Sequence, residues 1–404
     1  MRFAIVLMVF CLFALVASQS GPSHGKSVIC YSMAEPSFAL ESFFYSLMGM
    51  SQFGKTDFNL CTHLIYLDYR SILANGLTTY DDDHLKMLRN KYPHLKISLG
   101  IVQDEQTITE KQKNLMERLK FVDYLVSLTV NHSFDGLHIG LTYDGPTYNA
   151  TGVSTLLNDL SMSLKPKQLL LSFSPMKPPV SRSNELDSFA PIANYLDFMH
   201  LQYFGNIDEM IKLGVPPSKI VIEVVIITGH SLRRSFSIFD FDSFKSFLRY
   251  DEICDLLKGV SIKRIFYDNF EEKIHADYID ESGDGRSVLF EDTRSIANKT
   301  RNAMRRNLAG VAVFTADADD SYGKYPIGAN TFDDFKSDAN VVANIPNQNT
   351  RTYPMLRTVN QAIVLALDEM DQLHIPYTKT MARNQNSSDA FSWDIFIGNL
   401  IDAF

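Results

Sequence analysis

The sequence lacks a second long apolar run after its N-terminus, a Lys/Arg cluster and any low-complexity tract. Because a membrane span needs roughly 18–20 apolar residues, no transmembrane segment is predicted in the rest of the chain. A formal charge of −9, from 47 acidic and 38 basic residues, leaves no basic patch for nucleic acid. The remaining composition, 45% hydrophobic and 21% charged over 404 residues, is typical of a folded globular protein with a large core.

Tryptophan and cysteine are also scarce. The single tryptophan is Trp393, near the C-terminus, and one of the four cysteines, Cys11, lies in the N-terminal apolar run. Arg2, the run from Phe3 to Val16 and the small residues after it have the layout of a secretory signal peptide, which we assign to residues 1–20. The mature chain is therefore expected to be secreted and extracellular, with three cysteines.

Four Asn-x-Ser/Thr sequons occur in this chain, and in a secreted protein they predict surface glycosylation. The sequon asparagines are Asn131, Asn149, Asn298 and Asn386.

Short β-branched or apolar runs alternate with helical stretches, which indicates βα units around a parallel sheet. Eight such runs predict a closed (β/α)8 barrel, the TIM barrel. The predicted strands are Ser27–Tyr31, His63–Tyr69, Lys96–Val102, Gly136–Tyr143, Gln168–Ser174, Leu196–Gln202, Ile220–Ile227 and Gly310–Thr315. The predicted helices include Thr109–Val130, Val153–Leu164, Asp208–Leu213, Thr293–Asn307 and Arg351–Met370.

The interval between the seventh and eighth predicted strands is about 80 residues long, far more than one crossover needs. We therefore predict a small α+β insertion domain at 230–309, a barrel formed by 21–229 and 310–370, and a C-terminal tail at 371–404. The end of the tail, Phe391–Phe404, has apolar residues near helical spacing and is expected to pack on the barrel. A helix that docks on a partner or a membrane is the alternative.

Residues 134–143, with the sequence FDGLHIGLTY, predict one strand in which His138, Gly140 and Thr142 share a face. This stretch resembles the signature strand DGxDxDxE of the family-18 glycoside hydrolases, the chitinases. The Asp-Gly pair at its start matches the signature. His138, Gly140 and Thr142 stand where the family has two aspartates and the catalytic glutamate.

Further segments resemble the family in the same order and together cover about 28–365. They are Cys30-Tyr31, Cys61–Tyr66, Asp197–Leu201, Gly214–Val221, Tyr250–Cys254, Gly310–Phe314 and Asp319-Asp320. The resemblance implies a disulfide between Cys30 and Cys61. It leaves Cys254 without the family's second cysteine, which is missing around 322–324. Cys254 is expected to be a buried thiol in a monomer, and an intermolecular disulfide is the alternative.

The resemblance also implies that the family's chemistry is absent. In the family, the glutamate is the general acid, and aspartates with a tyrosine hold the substrate's acetamido group. Thr142 carries a hydroxyl whose pKa is far too high for a general acid, and Gly140 offers no charge. On the sixth strand, Phe204 and Gly205 replace the tyrosine and the aspartate. For His138 we expect a hydrogen-bonded core histidine, because no nearby motif supplies further metal ligands.

The resemblance weakens the case for sugar binding as well, because Phe314 stands where the family has a stacking tryptophan. A remodelled glycan cleft would use Phe314, Gln202, Tyr203 and Asp144, and Asp144 is also the one candidate for a displaced catalytic carboxylate. We predict an inactive chitinase-like protein with a signalling, immune-modulating or other interaction role, bound to a glycan or a protein receptor. A lectin for chitin or N-acetylglucosamine glycans is the first alternative, and an enzyme with altered chemistry is the second. No cofactor or metal is implied.

Overall fold

The structure is a computed structural model. It describes residues 21–33, 56–67, 77, 79–104, 114–142, 150–175, 189–201, 207–226, 228–229, 247–268, 272–325 and 352–373. The predicted signal peptide at 1–20, the segment Phe391–Phe404 and the sequons at Asn149 and Asn386 lie outside these residues. Within the described part of the chain, no helix is both long enough and apolar enough to cross a membrane.

Eight parallel strands close into a barrel, as the alternation of strands and helices predicts. The described strands are β1 Ser27–Met33, β2 His63–Leu67, β3 Lys96–Asp104, β4 Gly136–Thr142, β5 Leu170–Pro175, β6 Phe198–Leu201, β7 Ile220–Val225, β8 Thr228–Gly229, β9 Phe247–Leu248, β10 Ser261–Asp268, β11 Lys273–Ile279, β12 Gly285–Phe290 and β13 Gly310–Phe314. The barrel order is β1-β13-β7-β6-β5-β4-β3-β2, so that β13 closes the ring against β1. The (β/α)8 prediction is confirmed.

The described part of the chain has eight α-helices, most of which surround this ring. They are α1 Thr79–Lys91, α2 Leu115–Asn131, α3 Ala150–Leu164, α4 Phe189–Ala193, α5 Ile207–Lys212, α6 Tyr250–Gly259, α7 Thr293–Arg305 and α8 Pro354–Gln372. Strand side chains alternate between the helices and the barrel interior. In β4, Leu137, Ile139 and Leu141 are at most 1% exposed, as expected for the face that packs under the helices.

Several predicted boundaries move because of local backbone geometry. Strand β5 begins at Leu170, since Gln168 has the left-handed φ of 59° that ends the preceding 3-10 turn. Helix α8 begins at Pro354, the position that suits proline, after Tyr353 with a φ of 57°. Helix α7 ends at Arg305, and Asn307 has a φ of 55°. These turns depend on left-handed residues that are not glycine, which a sequence pattern signals poorly.

A separate α+β unit lies between β7 and β13 in chain order, as predicted. Its three-stranded antiparallel sheet has the order β10-β11-β12. Its apolar core consists of Ile253, Leu257, Ile274, Ala276, Tyr278, Val288 and Phe290. Helix α7, which follows this sheet, packs on α8, where Arg301 donates hydrogen bonds of 3.0 and 2.7 Å to Glu369.

Two links tie barrel strands to neighbouring segments of the chain. A disulfide joins Cys30 in β1 to Cys61 before β2, with the Cα atoms 6.0 Å apart, and closing such a loop stabilises a fold by about 3–4 kcal/mol. After β13, the Asp319 carboxylate accepts hydrogen bonds from the backbone N–H groups of Met355 (3.2 Å) and Leu356 (2.9 Å) in the first turn of α8. Burial raises the pKa of Asp319 to about 7.

Candidate functional site

The signature-like strand β4 points His138 into the barrel. His138 is fully buried, and its register partners are Gly100 in β3 and Ser172 in β5. Gly136 at the start of the strand needs to be glycine, because a β-carbon there would lie 2.7 Å from the Leu170 carbonyl oxygen. At its start, β4 therefore lies too close to β5 for a side chain to fit.

The hydroxyl of Tyr31 is the centre of a buried polar network that we call the Tyr31 network: Tyr31, His138, His200 and Glu223. The Tyr31 hydroxyl oxygen lies 2.5 Å from Glu223 Oε1, 2.7 Å from His200 Nδ1 and 3.3 Å from His138 Nε2. The other ring nitrogen of His138, Nδ1, lies 2.9 Å from the Ser172 hydroxyl. The barrel thus brings together residues from β1, β4, β5, β6 and β7 that are far apart in the sequence.

One proton arrangement accounts for every contact of the Tyr31 hydroxyl. The hydroxyl donates to Glu223, while His200 Nδ1–H and His138 Nε2–H donate to its oxygen. Ser172 then donates to His138 Nδ1. Burial, followed by the Glu223 charge, raises the pKa of Tyr31 well above its usual value, so the phenol remains a donor. Burial and the neighbouring His200 lower the pKa of His138 well below its usual value.

Some polar atoms around the network have no hydrogen-bond partner in the described part of the chain. They are His200 Nε2, Glu223 Oε2 and Ser174 Oγ. Each belongs to a side chain no more than 3% exposed. Below them, burial and His200 lower the pKa of His63 to about 4. The interior of the barrel is therefore polar. Burying these polar side chains costs desolvation free energy, which their hydrogen bonds offset only in part.

Phe314, the candidate sugar platform, is packed against the same network. Its ring centroid lies 5.1 Å from that of Tyr31, with the ring planes tilted by 55°. The side chain is only 2% exposed. In this arrangement a pyranose has no exposed ring face of Phe314 on which to stack.

The other predicted site positions are only partly described. Thr142 ends β4, but its side chain, like Asp144, Gln202, Tyr203, Phe204 and Gly205, lies outside the described residues. Tyr31, His200 and Glu223 were not predicted as site residues. Glu223 had a signal in the sequence, because it is the only charged residue in the apolar run Ile-Val-Ile-Glu-Val-Val.

Two aspartates in the matching segments have structural positions at the entry ends of strands. Asp135 Oδ2 accepts the backbone N–H of Ile97 at 2.9 Å and an Arg89 N–H at 3.1 Å. Asp197 Oδ2 accepts the backbone N–H of Leu171 at 2.8 Å. Both carboxylates therefore tie adjacent strands together and leave the barrel interior to the Tyr31 network.

Metal binding and thiol chemistry find little support in the described residues. These residues include no group of three or more His, Cys, Asp or Glu side chains that could hold a metal ion. Cys254 is 1% exposed and contacts Tyr250, and burial raises the pKa of its thiol above the usual range. A thiol in this position is not accessible to a cysteine of another chain.

Comparison with known proteins gives one consistent result. The profile described as "Glycosyl hydrolases family 18" matches residues 43–319. "Probable chitinase 2" of Drosophila melanogaster is 27% identical over 433 aligned positions, which cover 89% of this chain and 85% of that protein.

Solved structures agree with the fold. The Group IV chitinase of Ostrinia furnacalis superposes with a TM-score of 0.61 at 17% identity, covering 84% of this chain and all of that chain (100%). Human YKL-39, described as a pseudo-chitinase with retained chitooligosaccharide binding properties, superposes with a TM-score of 0.55 at 18% identity, covering 84% of this chain and 100% of its own. At these identities the likeness concerns the fold alone.

Proposed function

The chain belongs to the glycosyl hydrolases family 18, and from that premise we propose that it is a secreted chitinase-like protein that binds a partner without hydrolysing chitin. The observation that best supports the absence of hydrolysis is the hydrogen bonding of His138 in the signature strand. Both of its ring nitrogens are engaged, by Tyr31 at 3.3 Å and Ser172 at 2.9 Å. The strand itself, Gly136–Thr142, contains no carboxylate.

General acid catalysis needs a group that can release a proton near neutral pH. The threonine hydroxyl at 142 cannot do so, and the glycine at 140 cannot orient or stabilise a charged intermediate. The buried carboxylate of Glu223, in β7, accepts a hydrogen bond from the Tyr31 hydroxyl at 2.5 Å. Its engagement with Tyr31 supports a structural role for this carboxylate.

A hydrolysis assay tests the catalytic part of the proposal. The purified full chain is incubated with a fluorogenic chitobioside beside an active family-18 chitinase. We expect no turnover above the buffer blank from this chain. Hydrolysis that disappears in Glu223→Gln would overturn the proposal in favour of an enzyme with altered chemistry.

Secretion is a separate part of the proposal, and it rests on residues 1–20. The full chain is expressed in eukaryotic cells, and protein in the medium is identified by the sequence of its N-terminus. We expect medium protein that begins close to residue 21. A chain that stays inside the cell with Met1 in place would contradict this part alone.

A lectin is the second candidate, because the human YKL-39 structure is described as keeping chitooligosaccharide binding. The burial of Phe314 at 2% exposure counts against it. Titration calorimetry with chitotetraose compares the wild type with Phe314→Ala and with Phe266→Ala in the insertion sheet as a control. Saturable binding that only Phe314→Ala removes would establish the lectin. Absence of heat at millimolar sugar would favour a protein partner.

A further inference from the structure

Two of the four sequons lie in described helices, and their surroundings differ sharply. Asn131 is the last residue of α2 and is exposed. Its sequon continues through His132, the C-cap, to Ser133, which has a left-handed φ of 58°. The acceptor amide and the hydroxyl two residues later therefore lie on a turn at the surface.

This turn is held by groups other than the Asn131 side chain. The backbone N–H of Ser133 donates to the Val130 carbonyl at 3.0 Å, and the Ser133 carbonyl accepts a hydrogen bond from Arg89. His132 Nδ1 lies 2.5 Å from Asp82 Oδ1. A large group on the Asn131 amide therefore leaves the contacts that shape the turn unchanged.

Asn298 has the opposite setting, in the middle of α7. It is half-buried, and its amide forms a hydrogen bond with the Tyr267 hydroxyl. The rest of its sequon is buried: Thr300 is 0% exposed, and Lys299 lies 2.7 Å from Glu291. A sugar on the Asn298 amide nitrogen would have to fit beside the Tyr267 hydroxyl, in a sequon whose last two residues are buried.

We propose that Asn131 carries an N-linked oligosaccharide and that Asn298 does not. The proposal rests on the secretion proposed above, since the donor is a lipid-pyrophosphate-linked oligosaccharide of the secretory pathway. In the transfer, the bond from sugar C1 to the pyrophosphate oxygen breaks and a bond from C1 to Asn131 Nδ2 forms. The amide loses one proton, which the departing lipid pyrophosphate takes up as it leaves.

The position of Asn131 also determines which face the glycan covers. Helix α2 runs from the end of β3 to the start of β4, so its last residue lies at the amino ends of the barrel strands. Barrel proteins place their binding sites at the opposite, carboxyl ends. The glycan therefore shields the base of the barrel, including Val130, which is 45% exposed. The carboxyl-end face stays clear for a partner.

Site-resolved glycan mapping tests the proposal on the full chain expressed in eukaryotic cells. The protein is treated with PNGase F in heavy-oxygen water, which marks each formerly glycosylated asparagine as labelled aspartate for mass spectrometry. We expect the label at residue 131 and none at residue 298. Ser133→Gly should abolish the label at 131 without unfolding the protein, because glycine suits the positive φ there. Asn298→Gln is the matched control and should leave the labelling of Asn131 unchanged.

A second version, with the first 20 residues replaced by a known signal peptide, separates this proposal from that of secretion. If only this version reaches the medium and is labelled at Asn131, the result supports the glycosylation site. It also contradicts the proposal that residues 1–20 are a signal peptide. An unlabelled Asn131 in medium protein from either version, or a labelled Asn298 in folded protein, would overturn the site assignment.

Discussion

The interior of the barrel and the core of the insertion bury side chains of opposite character. The barrel interior holds the Tyr31 network, in which Tyr31 and His200 are fully buried and Glu223 is 3% exposed. The insertion core between α6 and its sheet is built from apolar side chains, with Ile253 and Val288 at 0% exposure. A buried polar network is seldom more stable than a well-packed apolar core. In the barrel interior, hydrogen bonds fix the geometry of the side chains. In the insertion core, apolar packing provides the stability.

The largest expected effect comes from removing the hydroxyl at the centre of the network. Tyr31→Phe leaves Glu223 and two imidazoles without their shared partner, so we expect the free energy of unfolding to fall by about 3 kcal/mol. Tyr250→Phe is the matched control, since Tyr250 is equally buried and its hydroxyl faces the Cys254 thiol, a weak partner. Urea denaturation gives both values. Equal losses in the two variants would show that the hydrogen bonds of the Tyr31 network add nothing beyond those of another buried tyrosine hydroxyl.

The second effect is a dependence on pH. The pKa of His138 lies well below 6.5 in the folded protein. Below pH 6.5, therefore, only the unfolded chain takes up this proton, and the wild type loses stability as the pH falls. We expect His138→Gln to cost about 2 kcal/mol at slightly alkaline pH, because it breaks two buried hydrogen bonds. This cost should shrink on acidification below pH 6.5.

A carboxylate of the insertion is the control for this pH window. A hydrogen bond from Arg286 holds the pKa of Asp280 below its usual 3.8. Its contribution to stability is therefore complete above that pH and is lost only as the pH falls below it. The cost of Asp280→Asn should be the same at alkaline pH and near pH 5. A cost of His138→Gln that grew in acid would contradict the prediction.

A smaller effect is expected in the apolar core. Ile253→Val removes one methylene from a fully buried side chain and should cost about 1 kcal/mol. Because no titrating group is involved, the cost should be constant between pH 5 and pH 8, a range that includes the pH below which the His138 effect changes. Urea denaturation at both ends of the range measures it.

No effect on catalysis is expected from restoring the acid alone. Thr142→Glu supplies a carboxyl group, but Gly140 still offers no orienting charge, and His138 remains bound to Tyr31 and Ser172. The fluorogenic chitobioside assay should therefore stay at the blank. Robust turnover by this single variant would show that the strand retains more of the family machinery than its residues indicate.

The sequence alone predicted the architecture well, because that information is local and periodic. The alternation in β4 placed His138 on the inner face, and the long interval after β7 predicted the insertion. The Tyr31 network could not be predicted in the same way. Its members lie at positions 31, 138, 200 and 223 of the sequence. The distances between them are set only when the strands close into the barrel. The turn at Gln168 was missed for a related reason, since a left-handed glutamine has no strong local signal.

The disulfide described above has a consequence for how the protein is produced. Cys30 immediately precedes Tyr31, so the covalent link to Cys61 anchors the backbone next to the centre of the network. In a reducing cytosol this link does not form. In protein made there, the strand that carries Tyr31 would lack its covalent anchor. The three hydrogen-bond partners of the Tyr31 hydroxyl would still be present. A recombinant sample made in a reducing compartment therefore lacks the stabilisation that this crosslink gives to the strand carrying Tyr31.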